Sequence, residues 1–127
     1  MTSDQQKKNA LQGYIDAYNR NDLEAVLALY SDDASVEDPY GTPAKRGKAE
    51  IRAFYTEAMA SGAKLQLDAP IRASHGDAAA ITFTAALETG QGMVRVHVTD
   101  IMTFNDQGLI NSMRAYFGPS DIEMPKG

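Results

Sequence analysis

The chain has 127 residues, 43% hydrophobic and 23% charged, with no cysteine and a formal net charge of -5. Such a length suits one domain that buries about two-thirds of the surface its unfolded chain exposes. The acidic balance argues against nucleic acid and anionic membranes, which bind through clustered Lys and Arg. Without cysteine there is no disulfide, thiol nucleophile or thiolate-bound metal, and His75 and His97 stand in no metal-ligating spacing. No cofactor or metal is therefore expected, and any catalysis must come from Asp, Glu, Tyr, Ser or Thr. No apolar run is long enough to span a bilayer and no signal-peptide pattern is present, so the expected location is the cytoplasm.

In chain order, residues 1–3 are expected to fray, and residues 10–18 place Leu11, Tyr14, Ile15 and Tyr18 at helical spacing. Gly13 within that helix marks either close packing or an exposed position that tolerates it. Asn21-Asp22 reads as a turn and N-cap for a second helix, whose Leu23, Val26, Leu27 and Tyr30 form one stripe before Ser31-Asp32-Asp33 breaks it. Residues 34–38 read as a strand, with Ala34, Val36 and Asp38 on one face and Ser35 and Glu37 on the other. Pro39 holds Asp38 extended and Gly41 permits a bend, which puts Asp38 at a half-apolar rim suited to a base. An Asp-Pro turn with no chemical role is an equal alternative for this segment alone.

Residues 38–48 form a loop whose Lys45, Arg46 and Lys48 read as solvated surface. A third helix carries Ile51, Phe54, Tyr55, Ala58 and Met59 on one face and stops at Ser61-Gly62. The period then changes to that of strands, over residues 64–73, 78–87, 93–104 and 109–117, separated by turn-forming segments. Pro70 marks a bulge or a weak point in the first of them, and His75 sits in a turn on the surface. Consecutive pairing gives an antiparallel meander, with the tail from Gly118 as an irregular cover. Helices first and strands after predict a single α+β domain over residues 1–127. Three N-terminal helices pack on a curved, mainly antiparallel sheet that forms a conical barrel with an internal apolar pocket.

The third strand carries the clearest chemical signal. Val94, Val96, Val98, Asp100, Met102 and Phe104 share one face, on which Asp100 alone is polar, while Arg95 and His97 point the other way. Desolvation without a cation raises a carboxyl pKa, so Asp100 is expected to be protonated near neutral pH and to donate a hydrogen bond. The alternative is that Arg72 or Arg114 reaches in to pair with it. Tyr14, Tyr30 and Tyr55 occupy apolar stripes of their helices, and buried phenols must find partners for their hydroxyls, which three converging tyrosines supply to one another. A rim carboxylate, an interior acid, a phenol network and an apolar cavity suit removal of a proton alpha to a carbonyl, with the donors holding the enolate oxygen. Paired carboxyls also serve glycosidases and epoxide hydrolases. The absence of indoles and of many pocket polar groups disfavours the first of these.

Several segments carry a family likeness: Tyr14 in Gly-Tyr-Ile-Asp, the run from Tyr30 through Val36-Glu37-Asp38-Pro39-Tyr40-Gly41, Phe54-Tyr55, Ile71-Arg72-Ala73-Ser74-His75, Asp100 in Val-Thr-Asp-Ile-Met-Thr-Phe, and Ser112 to Phe117. Together, over residues 10–118, they resemble the bacterial ketosteroid isomerases. That family is itself the usual illustration of two carboxyls held at separated pKa values. The resemblance implies a cone of the nuclear transport factor type and a homodimer formed through the sheet. It also implies a steroid substrate, whose proton Asp38 moves from C4 to C6. By the same likeness Tyr14 and protonated Asp100 hold the dienolate oxygen, Tyr55 and Tyr30 extend the network, and Phe54, Phe83, Met113 and Phe117 line the steroid site. Tyr18 is bulkier than the family pattern leads one to expect. Polyketide cyclases, epoxide hydrolases and non-catalytic binding modules share the scaffold and remain alternatives.

Overall fold

A computed structural model describes residues 3–125, and Met1 and Thr2, expected to fray, lie outside them. Ser3 does not fray. It caps helix α1 (Asp4–Asn19), its hydroxyl accepting from the Gln6 amide while the Gln6 side chain accepts from the Ser3 amide. Leu11, Tyr14, Ile15 and Tyr18 of α1 are buried, as their spacing predicts. A Cβ at Gly13 would meet nothing within 4 Å, so that glycine reflects tolerance and not close packing. Asp22 caps α2 (Leu23–Leu27) through the Ala25 amide.

The second helix ends sooner than its stripe suggests. Tyr30 is the first residue of strand β1 (Tyr30–Glu37), not a helical residue, and pairs in parallel with Ile110. The loop expected over residues 38–48 contains a short strand, β2 (Lys45–Arg46), and ends where helix α3 (Gly47–Ala60) begins. Gly62, at φ +79, takes the left-handed conformation that lets the chain leave α3.

The remaining strands are β3 (Lys64–Leu67), β4 (Ala78–Thr89), β5 (Gly92–Phe104), β6 (Ile110–Tyr116) and β7 (Ile122–Glu123). The first is shorter than expected, because the chain leaves the β4 edge before Pro70 and returns only through an isolated bridge between Arg72 and Ala80. β3 to β6 form the predicted meander, but the sheet continues from β6 to β1 in parallel and on to β2. The order is β2-β1-β6-β5-β4-β3, so the sheet curls into a cone without closing. The tail is more regular than expected, with a 3-10 turn at Pro119–Asp121 and β7 paired to β5 beyond the end of β6.

The helices cover the concave face. Leu11, Val26, Ile51, Val36, Ile81, Met102 and Ile110 are wholly excluded from solvent there. Each such side chain contributes on the order of 1.5–3 kcal/mol relative to exposure. No helix among the described residues is long and apolar enough to cross a membrane.

Candidate active site

Between the helices and the wide end of the sheet lies a cavity of about 330 Å³. Tyr14 and Tyr18 enter it from α1, Phe54, Tyr55 and Ala58 from α3, and Asp38 from the end of β1. The sheet supplies Leu65, Phe83, Ala85, Val96, Val98 and Asp100, and Phe117 follows β6. Cross-strand register explains the grouping on the sheet, since Phe83 pairs with Val98 and Ala85 with Val96. Leu65, Ala85, Val96 and Val98 were not singled out in the sequence, although the alternation that places Asp100 on the inner face also places Val96 and Val98 there.

Asp38 is held from both sides. Upstream, Glu37 pairs in register with Arg114 of β6, and downstream the Tyr40 amide donates to the Ala115 carbonyl at 2.7 Å. The Asp38-Pro39 peptide is cis, Gly41 has φ +104, and the Thr42 hydroxyl donates to the Pro39 carbonyl at 2.7 Å. Outside the cavity, the Arg114 guanidinium lies 5.1 Å from the Tyr40 ring centroid and pairs with Glu37 at 3.6 Å. Burial pushes the Asp38 carboxyl up to about 6, a shift that the charge of Lys45 partly opposes. Lys45 stays at the surface as expected, its ammonium donating to the Pro43 carbonyl, and its charge is felt at Asp38.

Asp100 is 1% exposed. Its strand neighbours Val98 and Met102 are buried and apolar, as are its cross-strand partners Ile81 and Ala115. Neither arginine considered from the sequence reaches it: Arg72 donates to the Pro70 carbonyl, and Arg114 is engaged by Glu37 and Tyr40. Its Oδ1 has no hydrogen-bond partner among the described residues. Burial, reinforced by the Asp38 charge, pushes this carboxyl well above the ordinary range, toward its neutral form. A neutral acid with an unengaged oxygen beside a cavity can donate to a bound oxygen atom.

The tyrosines meet as expected, though Tyr30 arrives from a strand. The Tyr14 and Tyr55 hydroxyls are 2.9 Å apart and those of Tyr55 and Tyr30 2.6 Å apart. Burial pushes all three phenols upward, so they stay neutral and serve as donors. Of these three tyrosines, Tyr14 and Tyr55 line the cavity and Tyr30 does not. Phe54, Phe83 and Phe117 line the cavity as expected. Met113 does not: it is 1% exposed and packs in the core next to the site.

The SnoaL-like domain model matches residues 11–113, most of the chain and both carboxyl groups. The chain belongs to the SnoaL-like family. Among SnoaL-like and related proteins, it is 38% identical over 116 residues to a steroid delta-isomerase of Nocardioides simplex, covering 91% of this chain and 92% of that one. It is 25% identical to the epoxide hydrolase LasB of Streptomyces lasalocidi, over 95% of this chain but half of that protein's length. A solved structure of the epoxide hydrolase/cyclase-like enzyme SalBIII superimposes with a TM-score of 0.88, over 96% of this chain and 98% of that one. At 24% identity that likeness establishes the SnoaL-like fold alone.

Proposed function

We propose that this protein is a steroid delta-isomerase, converting 3-oxo-delta-5-steroids to their conjugated delta-4 isomers without a cofactor. The observation that carries the reading is the difference between its two cavity carboxyls: burial raises Asp38 to about 6 and Asp100 well above the carboxylate range, with no cation among the described residues paired to Asp100. In this reading the Asp38 carboxylate takes the C4 proton, whose departure leaves a dienolate, and the protonated acid returns it to C6. Charge accumulates on the C3 oxygen during the first step. Tyr14 and Asp100 donate to that oxygen, and their donors are fixed before the substrate arrives. Tyr55 and Tyr30 polarise Tyr14, because each hydroxyl in a chain strengthens the next. Phe54, Phe83 and Phe117 exclude water and contact the steroid rings.

The 38% identity to a steroid delta-isomerase over nearly the whole of both chains supports this reading. The likeness to LasB favours a second one, epoxide hydrolysis. A hydrolase must hold a water between a carboxylate and polar partners, and around Asp38 the cavity offers mostly aromatic and aliphatic side chains. The resemblance also points to a homodimer in contact through the sheet. Sedimentation would then give twice the 13.8 kDa chain mass, and a monomer at micromolar concentration would sink that part.

The functional test mixes the purified protein with a 3-oxo-delta-5-steroid and follows the ultraviolet absorbance of the conjugated enone. Asp38→Asn is expected to lose at least about 100-fold in turnover while still binding steroid, since only the base is removed. Retention of wild-type turnover by that variant would place the base elsewhere.

A further inference from the structure

A second cavity, of about 500 Å³, opens between the start of α1 and the segment 72–75, and shares no lining residue with the first. Lys7, Lys8, Arg72 and His75 line it together with Asp4 and Ser3. Three fixed cations face one carboxylate here, in a chain whose net charge is -5. The lining is therefore opposite in sign to the molecule as a whole.

Lys7 is the unusual member, with a side chain only 2% exposed. Its ammonium donates to the carbonyls of Ser74 at 3.1 Å and Gly76 at 2.6 Å. Those carbonyls satisfy two of its hydrogens but do not neutralise its charge. The nearest carboxylate, Asp4, is 3.9 Å away, and its own side chain is 74% exposed. The cavity wall thus carries a buried ammonium met by two carbonyls and by one exposed carboxylate at the ion-pair limit, so its charge is only partly offset and an anion in the cavity completes it. The side chains of Lys8 and His75 form no hydrogen bond or ion pair with any described residue. Arg72 uses one nitrogen on the Pro70 carbonyl, and its backbone is fixed by paired bonds to Ala80, which leaves the rest of the guanidinium to the cavity.

We infer that this cavity is a binding site for a phosphate or sulfate group, either free or carried on a small organic molecule. A guanidinium fork, ammonium groups and an imidazole around one space match an anion that presents several oxygens at once. The volume exceeds what a bare oxyanion fills, leaving room for an attached group. Tyr14 lies seven residues beyond Lys7, roughly 10 Å along the helix, so the two sites can be occupied together.

The test is an amide-shift titration by NMR at constant ionic strength, with inorganic phosphate and phenyl phosphate as separate probes and chloride as control. Shifts of residues 3–8 and 72–76 are expected to saturate with a dissociation constant on the order of 1 mM. The doubly substituted Lys8→Gln, Arg72→Gln protein, altered only at solvent-accessible side chains, is expected to bind at least about fivefold more weakly. Equal affinity for the two probes identifies the free ion, and tighter phenyl phosphate a carried group. Shifts that chloride reproduces, that fail to saturate, or that saturate identically in the double variant would overturn the site.

Discussion

At the scale of single residues, two carboxyls a few strands apart behave differently because their surroundings differ. Asp38 stands at the end of β1 within reach of Lys45, and burial raises it only to about 6. Asp100 has apolar neighbours along and across the sheet, and burial raises its carboxyl much further. Asp100→Asn is therefore expected to cost little turnover, since an amide still donates, whereas Asp100→Ala loses on the order of 100-fold. Equal damage from the two substitutions would rule out a donor role. The raised pKa also has a consequence for stability. The unfolded chain releases the Asp100 proton above about pH 4, and the folded chain keeps it until a much higher pH. Between those values the folded state binds more protons at this group, so the Asp100 contribution to stability is fully present below about pH 4 and is lost as pH rises through this window. Urea denaturation above about pH 7, where Asp38 no longer adds to the slope, should show that decline at up to about 1.4 kcal/mol per pH unit, and Asp100→Asn should flatten it. An unchanged slope in the variant would mean that Asp100 ionises normally.

At the scale of elements, local pattern was readable where local forces decide. The alternation of β5 placed Asp100 inside and Arg95 and His97 outside, and the spacing in α1 and α3 put Tyr14 and Tyr55 on buried stripes. Ser3 escaped notice because a capping residue near a chain end has no periodicity to mark it. Its reciprocal bonds with Gln6 are expected to stabilise α1, so Ser3→Ala should cost about 0.5–2 kcal/mol in urea denaturation, and no loss would show the cap to be idle. Tyr30 was misread for a different reason. Leu23, Val26, Leu27 and Tyr30 keep helical spacing, but parallel pairing with β6, some eighty residues later, draws Tyr30 into a strand. Nothing in the local sequence announces that partner. Met113 shows a related limit, because alternation says that a strand residue faces inward but not whether it meets the solid core or the cavity.

At the scale of the whole molecule, the unclosed curl of the sheet makes the chemistry possible. β1 and β5 are separated by β6, so their inner faces converge under the helices, and α1 and α3 bring Tyr14 and Tyr55 over the same space. Two carboxyls and two linked phenols thereby reach one apolar cavity from four elements. The α+β class and the helix-covered curved sheet were legible from the change of period after Gly62. The parallel closure through β1 and β6 was not, since it depends on long-range pairing. The most direct test of the isomerase assignment is the pH dependence of kcat/KM for a 3-oxo-delta-5-steroid. With Asp38 as a base that titrates near 6, kcat/KM should rise about tenfold per pH unit below that value, then stay level through neutral pH, with the signal lost in Asp38→Asn. No turnover by the folded protein, or a rate that falls as pH rises through 6, would contradict it.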